Sequence, residues 1–95
     1  MATISTAQPD ALAGITEEQI VDLDVRPILR KGGEPFSLIM DTVDQVPPGS
    51  VFRLRATFKP LPLFGVLKMK GWDHWIEFGI GDDWRIWFYR RQDFV

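Results

Sequence analysis

The sequence predicts an α+β domain in which strand, helix, strand, helix, strand and strand follow one another, with both helices on one side of a four-stranded sheet. Three observations carry that prediction. Apolar and polar residues alternate over residues 20–26, 51–58, 72–80 and 84–91, the pattern of strands covered on one face. Between the first three of these stretches lie two segments that open at a proline and repeat apolar residues at helical spacing. Glycine and proline punctuate the joints at Gly32-Gly33, Pro47-Pro48-Gly49, Lys59-Pro60 and Gly71.

Residues 1–17 are small and polar and predict a flexible tail ahead of a single domain over residues 18–95. In the first strand Val21, Leu23 and Val25 share one face and Asp22, Asp24 and Arg26 the other, and Pro27 ends it because proline has no N–H to donate. Residues 28–33 predict a loop, basic at Arg30 and Lys31 and hinged at Gly32 and Gly33. Pro35 suits the first position of the helix that follows. Glu34 complements its dipole, and Phe36, Ile39, Met40 and Val43 form its buried stripe.

The second strand places Phe52, Leu54, Ala56 and Phe58 opposite Val51, Arg53, Arg55 and Thr57. Pro62 opens a second helix that reaches Lys70, with Leu63, Val66 and Leu67 toward the core and Gly71 as its stop. The remainder predicts a hairpin around Gly81-Asp82-Asp83. A three-residue loop pairs Ile80 with Trp84, Phe78 with Ile86 and Ile76 with Phe88, all apolar, whereas a two-residue loop would set Phe78 opposite Arg85. Helical crossovers make neighbouring strands parallel and leave one sheet face bare. That face collects Asp22, Asp24, Arg26, Arg53, Arg55, Trp75, Glu77, Arg85, Trp87 and Tyr89.

Composition narrows the function. The chain has 95 residues, enough for one core, and 45% of them are hydrophobic, ordinary for a globular protein. Four Trp and seven Phe are more large rings than so small a core encloses, so some are expected at a surface that meets a partner. A net charge of -2 provides no global attraction to nucleic acid or anionic lipid. The absence of cysteine removes disulfides, thiolate metal ligands and persulfide chemistry. Residues 1–14 lack a basic start and an apolar run, so neither a secretory signal nor a membrane span is expected, and the cytoplasm is the expected compartment.

From residue 20 to residue 91 the sequence resembles the domain-of-unknown-function family 2249, itself similar to the TusA/SirA-like sulfur carriers. The resemblance rests on Leu23-Asp24-Val25-Arg26, Glu34-Pro35, Pro48-Gly49, Pro60-Leu61-Pro62-Leu63, Gly71-Trp72 and Asp83-Trp84-Arg85-Ile86, taken in order and spacing. It implies a two-layer sandwich with sheet order 1-2-4-3. The carriers hold a persulfide on the cysteine of a Cys-Pro-x-Pro motif at the start of the first helix; here the stretch reads Gly32-Gly33-Glu34-Pro35, so the thiol route is closed. Many members of the unknown-function family carry Asn-Asp-His-Asp-Pro before the second helix. This chain has Ala56-Thr57-Phe58-Lys59-Pro60, in which only Pro60 matches.

Two surfaces emerge as candidates for binding. The Gly32-Gly33-Glu34-Pro35 corner could offer free N–H groups to an anion, with Arg26, Arg30 and Lys31 nearby, or serve simply as a hinge; Glu34 opposes an anion. The open sheet face, with Arg53, Arg55, Trp75, Arg85, Trp87 and Tyr89, suits a protein partner or self-association first, mutual cross-strand packing second and single-stranded nucleic acid last. On it Asp22 and Asp24 are expected to pair with Arg53 and Arg55. His74 is the only histidine and lacks the companions a ligand or catalyst needs. The sequence thus predicts a non-catalytic interaction module without a cofactor, with a docking role in sulfur or metal-centre delivery as the alternative from the resemblance.

Overall fold

A computed structural model describes residues 8–91. Four strands, β1 (Ile20–Asp24), β2 (Val51–Ala56), β3 (Trp72–Phe78) and β4 (Trp84–Arg90), form one sheet in the order β1-β2-β4-β3. β1 and β2 are parallel, and β4 runs antiparallel to both β2 and β3. Among the described residues there are three α-helices: α1 (Arg26–Arg30), α2 (Phe36–Asp44) and α3 (Leu61–Met69). The architecture is the predicted α+β sheet in the predicted order. No helix among the described residues is long and apolar enough to cross a membrane.

One continuous core lies between the helices and the sheet. Ile39 and Val43 of α2 and Leu63 and Leu67 of α3 close over Phe52, Leu54, Ala56, Ile86 and Phe88, and Phe52 stacks on Phe88 with ring centroids 5.8 Å apart. Leu12 and Val51 are buried apart from that cluster. Of the expected N-terminal tail, residues 1–7 lie outside the described residues, while Asp10–Leu12 and Glu17–Gln19 form single 3-10 turns.

Several local expectations need correction. Residues 26–30 are helical, not strand and loop. The Arg26 N–H donates to Asp24 Oδ1 at 3.0 Å, which turns the chain, and Pro27 then stands in the first turn of α1, where its missing N–H costs nothing. The hairpin is displaced by two residues from the expected pairing: Phe78 lies opposite Trp84, Ile76 opposite Ile86 and His74 opposite Phe88. The Gly79 N–H donates to the Asp83 carbonyl at 2.8 Å, so the loop opens at residue 79 and Ile80 is 95% exposed beyond the strand. Phe36 and Phe78, expected in the core, are exposed, as is Phe58, which follows β2 rather than ending it; Val66 also stands at the surface.

Candidate functional site

Parallel β1 and β2 end at the same edge of the sheet, and α2 and α3 both begin there. Their approach leaves a cavity of about 190 Å³ lined by Val25, Leu29, Ile39, Leu54, Phe58 and Leu63 among others. Glu34 is the one charged residue in the lining, and Pro35, Phe36, Pro60 and Pro62 complete the wall. Glu34 Oε2 accepts the Phe36 N–H at 2.7 Å and so satisfies one of the free donors at the start of α2. Phe36 and Phe58 stand 44% and 51% exposed at this cavity.

The two glycines of the corner have different reasons. Gly32 has φ +79, left-handed backbone after α1, where a side chain would be strained, and its N–H donates to the Leu29 carbonyl at 3.0 Å. Gly33 is required by proximity: a Cβ there would lie 2.8 Å from Ile28 Cγ2 and 3.2 Å from its carbonyl oxygen. The pair is therefore accounted for as a hinge that lets α1 turn into α2.

Beside the corner the charged residues converge on one another. Arg26 Nε donates to Asp24 Oδ1 at 3.0 Å, and Arg26, Arg55 and Arg85 all reach Asp83, at 3.3, 3.1 and 3.0 Å. The Asp83 side chain is only 14% exposed. Hydrogen bonding from the Arg26 side chain, with its backbone N–H and the charges of Arg26 and Arg55 behind it, outweighs burial and holds Asp24 at about 2. For Asp83, burial pushes the pKa up, yet hydrogen bonds from Arg85 and Arg55 leave it below the usual carboxylate value. Arg55 keeps one buried nitrogen, Nε, without a partner. Asp24 thus pairs with Arg26 and Arg55 with Asp83, not with each other as expected, whereas Arg53 Nε donates to Asp22 at 2.6 Å across β1 and β2 as expected.

The open face is knitted together too. The Arg53 guanidinium lies 5.2 Å over the Trp87 ring, Trp87 Nε1 donates to Glu77 Oε1 at 3.0 Å, and Trp75 and Trp87 sit 6.4 Å apart. Arg53, Arg55, Trp75, Arg85, Trp87 and Tyr89 are all half-buried. Burial raises the Tyr89 hydroxyl, with Asp73 adding to the effect. Trp75 Nε1 is buried without an acceptor. On the helix side, His74 stacks on Phe64 at 3.8 Å; burial lowers its pKa, Lys59 and Lys68 act in the same direction and Asp73 opposes.

The sequence-predicted residues therefore fall into three groups. Gly32, Gly33, Glu34 and Pro35 shape the corner; Asp24, Arg26, Arg55 and Arg85 meet around Asp83; Arg53, Trp75, Trp87 and Tyr89 cover the sheet. The role of Asp83 is not legible in the sequence, because a loop aspartate gives no local sign of three arginines arriving from separate elements. Phe36 and Phe58, which the periodicity predicts to face inward, stand exposed at the cavity. Among the described residues no group of three histidine, aspartate or glutamate side chains is arranged to hold a metal. The family model DUF2249, described as an uncharacterized conserved protein, matches residues 22–90. No curated protein and no solved structure matches the chain.

Proposed function

The chain belongs to the DUF2249 family, and on that premise we propose that it is a non-catalytic protein-interaction module whose apolar cavity between the starts of α2 and α3 receives one side chain of a partner. The cavity is the observation that carries this. At about 190 Å³ it is smaller than the ~300 to 1,000 Å³ clefts that enclose whole small-molecule ligands, and it has room for a single large apolar side chain. Phe36 and Phe58 at its mouth offer a partner apolar area that removal from water stabilises by about 25 cal/mol per Å². The charges beside the cavity already hold one another, Asp24 and Asp83 by arginines and Glu34 through the Phe36 N–H, which leaves the apolar wall as the surface on offer. The likeness to TusA/SirA-like carriers is on this view one of fold, with Gly32 where those proteins bear the thiol.

The open sheet face is the second reading. One observation favours it: the Trp75 indole N–H is buried without an acceptor, a group a partner carbonyl could satisfy. Against it, Arg53, Trp87 and Glu77 already satisfy one another. A photo-crosslinking amino acid placed at Phe58 or at Trp87 in cells separates the two. Capture of a partner from position 58 is expected; capture from position 87 alone would move the interface to the sheet.

A further inference from the structure

β3 is the outermost strand of the sheet on one side, with β4 as its neighbour and no strand beyond it among the described residues. The Gly79 N–H donates to the Asp83 carbonyl and the Arg91 N–H to the Gly71 carbonyl, so the odd-numbered residues of β3 turn their N–H and C=O groups toward β4. Trp72, His74, Ile76 and Phe78 turn theirs outward, and among the described residues nothing pairs with them. Proteins ordinarily blunt such an edge with a proline, a lysine or a bulge. β3, Trp-Asp-His-Trp-Ile-Glu-Phe, has neither proline nor lysine, and its pairing with β4 runs unbroken from Trp72 to Phe78.

One end of this edge carries a projection and the other a hollow. Phe78 is 60% exposed and Ile80, just beyond the strand, 95%. At the start of the strand Phe64, Gly65, Lys68, Trp72, Asp73 and His74 are among the residues around a depression of about 240 Å³. His74 stacks there on Phe64 at 3.8 Å, and a Cβ on Gly65 would meet nothing within 4 Å, so the space is open and partly aromatic. By alternation His74 and Phe78 share the helix side of the sheet, with Ile76 midway between them. A two-fold axis at Ile76 therefore brings the projection of each copy to the hollow of the other.

Charge selects the same axis. An antiparallel pair of β3 edges can centre on His74, on Trp75 or on Ile76 and still overlap most of the strand. Centring on Trp75 sets Asp73 opposite Glu77 at both ends, two like-charge pairs. Centring on His74 carries Phe78 past Trp72, where the strand of the other copy begins. Centring on Ile76 sets Trp75 opposite Glu77 and His74 opposite Phe78, with no acid facing an acid. A foreign strand would need only the outward N–H and C=O groups; a projection and a hollow equally spaced about one residue fit a second copy of this chain.

We infer that β3 pairs antiparallel with β3 of a second copy about a two-fold axis at Ile76, seating Phe78 of each against His74 and Phe64 of the other and joining two four-stranded sheets into one. This edge shares no residue with the cavity at the helix starts and stands whether or not that cavity takes a side chain. One strand pair and two seated rings make a small interface, below the ~1,200 Å² of stable complexes, so the dimer is weak, with a Kd of about 10 to 100 μM.

The test uses the full chain. Sedimentation velocity from about 5 to about 500 μM is expected to show monomer passing into dimer across that Kd. Phe78→Lys should weaken the dimer at least about tenfold, while Leu38→Lys, which alters an equally apolar side chain 43% exposed on α2, leaves it unchanged. Register is read by disulfide trapping, which the cysteine-free chain permits. In the Ile76-centred pair Trp75 and Glu77 of the other copy face each other with Cα atoms about 4.5 Å apart, within disulfide reach. Trp75→Cys and Glu77→Cys proteins oxidised together should form a covalent dimer containing one of each, faster than either protein forms one alone. Monomer throughout the concentration range, a dimer that Phe78→Lys leaves intact, or faster trapping of Trp75→Cys or Glu77→Cys with itself would overturn the inference.

Discussion

Replacing Asp83 with asparagine keeps the side-chain shape and removes one charge from the centre of three guanidiniums. Arg26, Arg55 and Arg85 approach that carboxylate at 3.3, 3.1 and 3.0 Å, and its side chain is 14% exposed. A hydrogen bond to a charged group contributes about 1.5 to 3 kcal/mol, and leaving a fully buried charge without its partner costs about 3 to 5 kcal/mol. The arginines retain contact with water, and Arg26 and Arg85 keep other acidic partners in Asp24 and Glu77, so screening reduces the total. The expected loss for Asp83→Asn is about 2 kcal/mol, which in a domain of this size lowers Tm by about 8 to 16 °C. The neighbour supplies the comparison. Asp82 pairs with Arg30 at 3.1 Å, but both side chains are 54% exposed, so Asp82→Asn should lose no more than about 0.5 kcal/mol. Urea denaturation of the two variants at neutral pH, repeated at high salt, measures both. Equal losses for Asp82→Asn and Asp83→Asn would refute the view that convergence and burial, rather than the formal count of ion pairs, decide the contribution.

Asp24 titrates at about 2 against an ordinary 3.8, so its contribution is present above the unfolded value and is lost as pH falls from 3.8 toward 2, where the unfolded chain binds the proton first. Stability should decline over that window, by about 1 kcal/mol for this group once its partial exposure is discounted, and Asp24→Asn should flatten the decline in acid denaturation curves. In the core, Leu67→Ala should cost about 2 to 5 kcal/mol because the side chain is fully enclosed, whereas Ile80→Ala, 95% exposed beyond β3, should change stability by less than about 0.5 kcal/mol. Chemical denaturation distinguishes the hairpin found here from one in which Ile80 packs against Trp84.

Side-chain periodicity is a local property, and it alone determined which face each strand residue takes. Leu54, Ile86 and Phe88 lie on the core side and Arg53, Trp75 and Trp87 on the other, as alternation dictates, and the two-residue displacement of the hairpin left those faces intact because the strand period is two. Pro62 marked the start of α3 for a similar reason, since proline's fixed backbone and missing N–H favour the first turn, whereas Pro35, expected at the first helical position, stands just before α2. The sheet order came with the family resemblance, not with the periodicity. What only the tertiary structure decided is where elements distant in sequence meet. The hairpin register depends on the Gly79 to Asp83 hydrogen bond, and α1 on the Asp24 side chain turning back to Arg26. Phe36 and Phe58 are as apolar as Phe52 and Phe88, yet the first two stand at the cavity mouth and the latter pair is buried, a difference made by how α2 and α3 settle on the sheet. Asp83 is the clearest case: its partners arrive from the start of α1, from β2 and from β4, and no pattern within a loop can report a meeting of three separate elements.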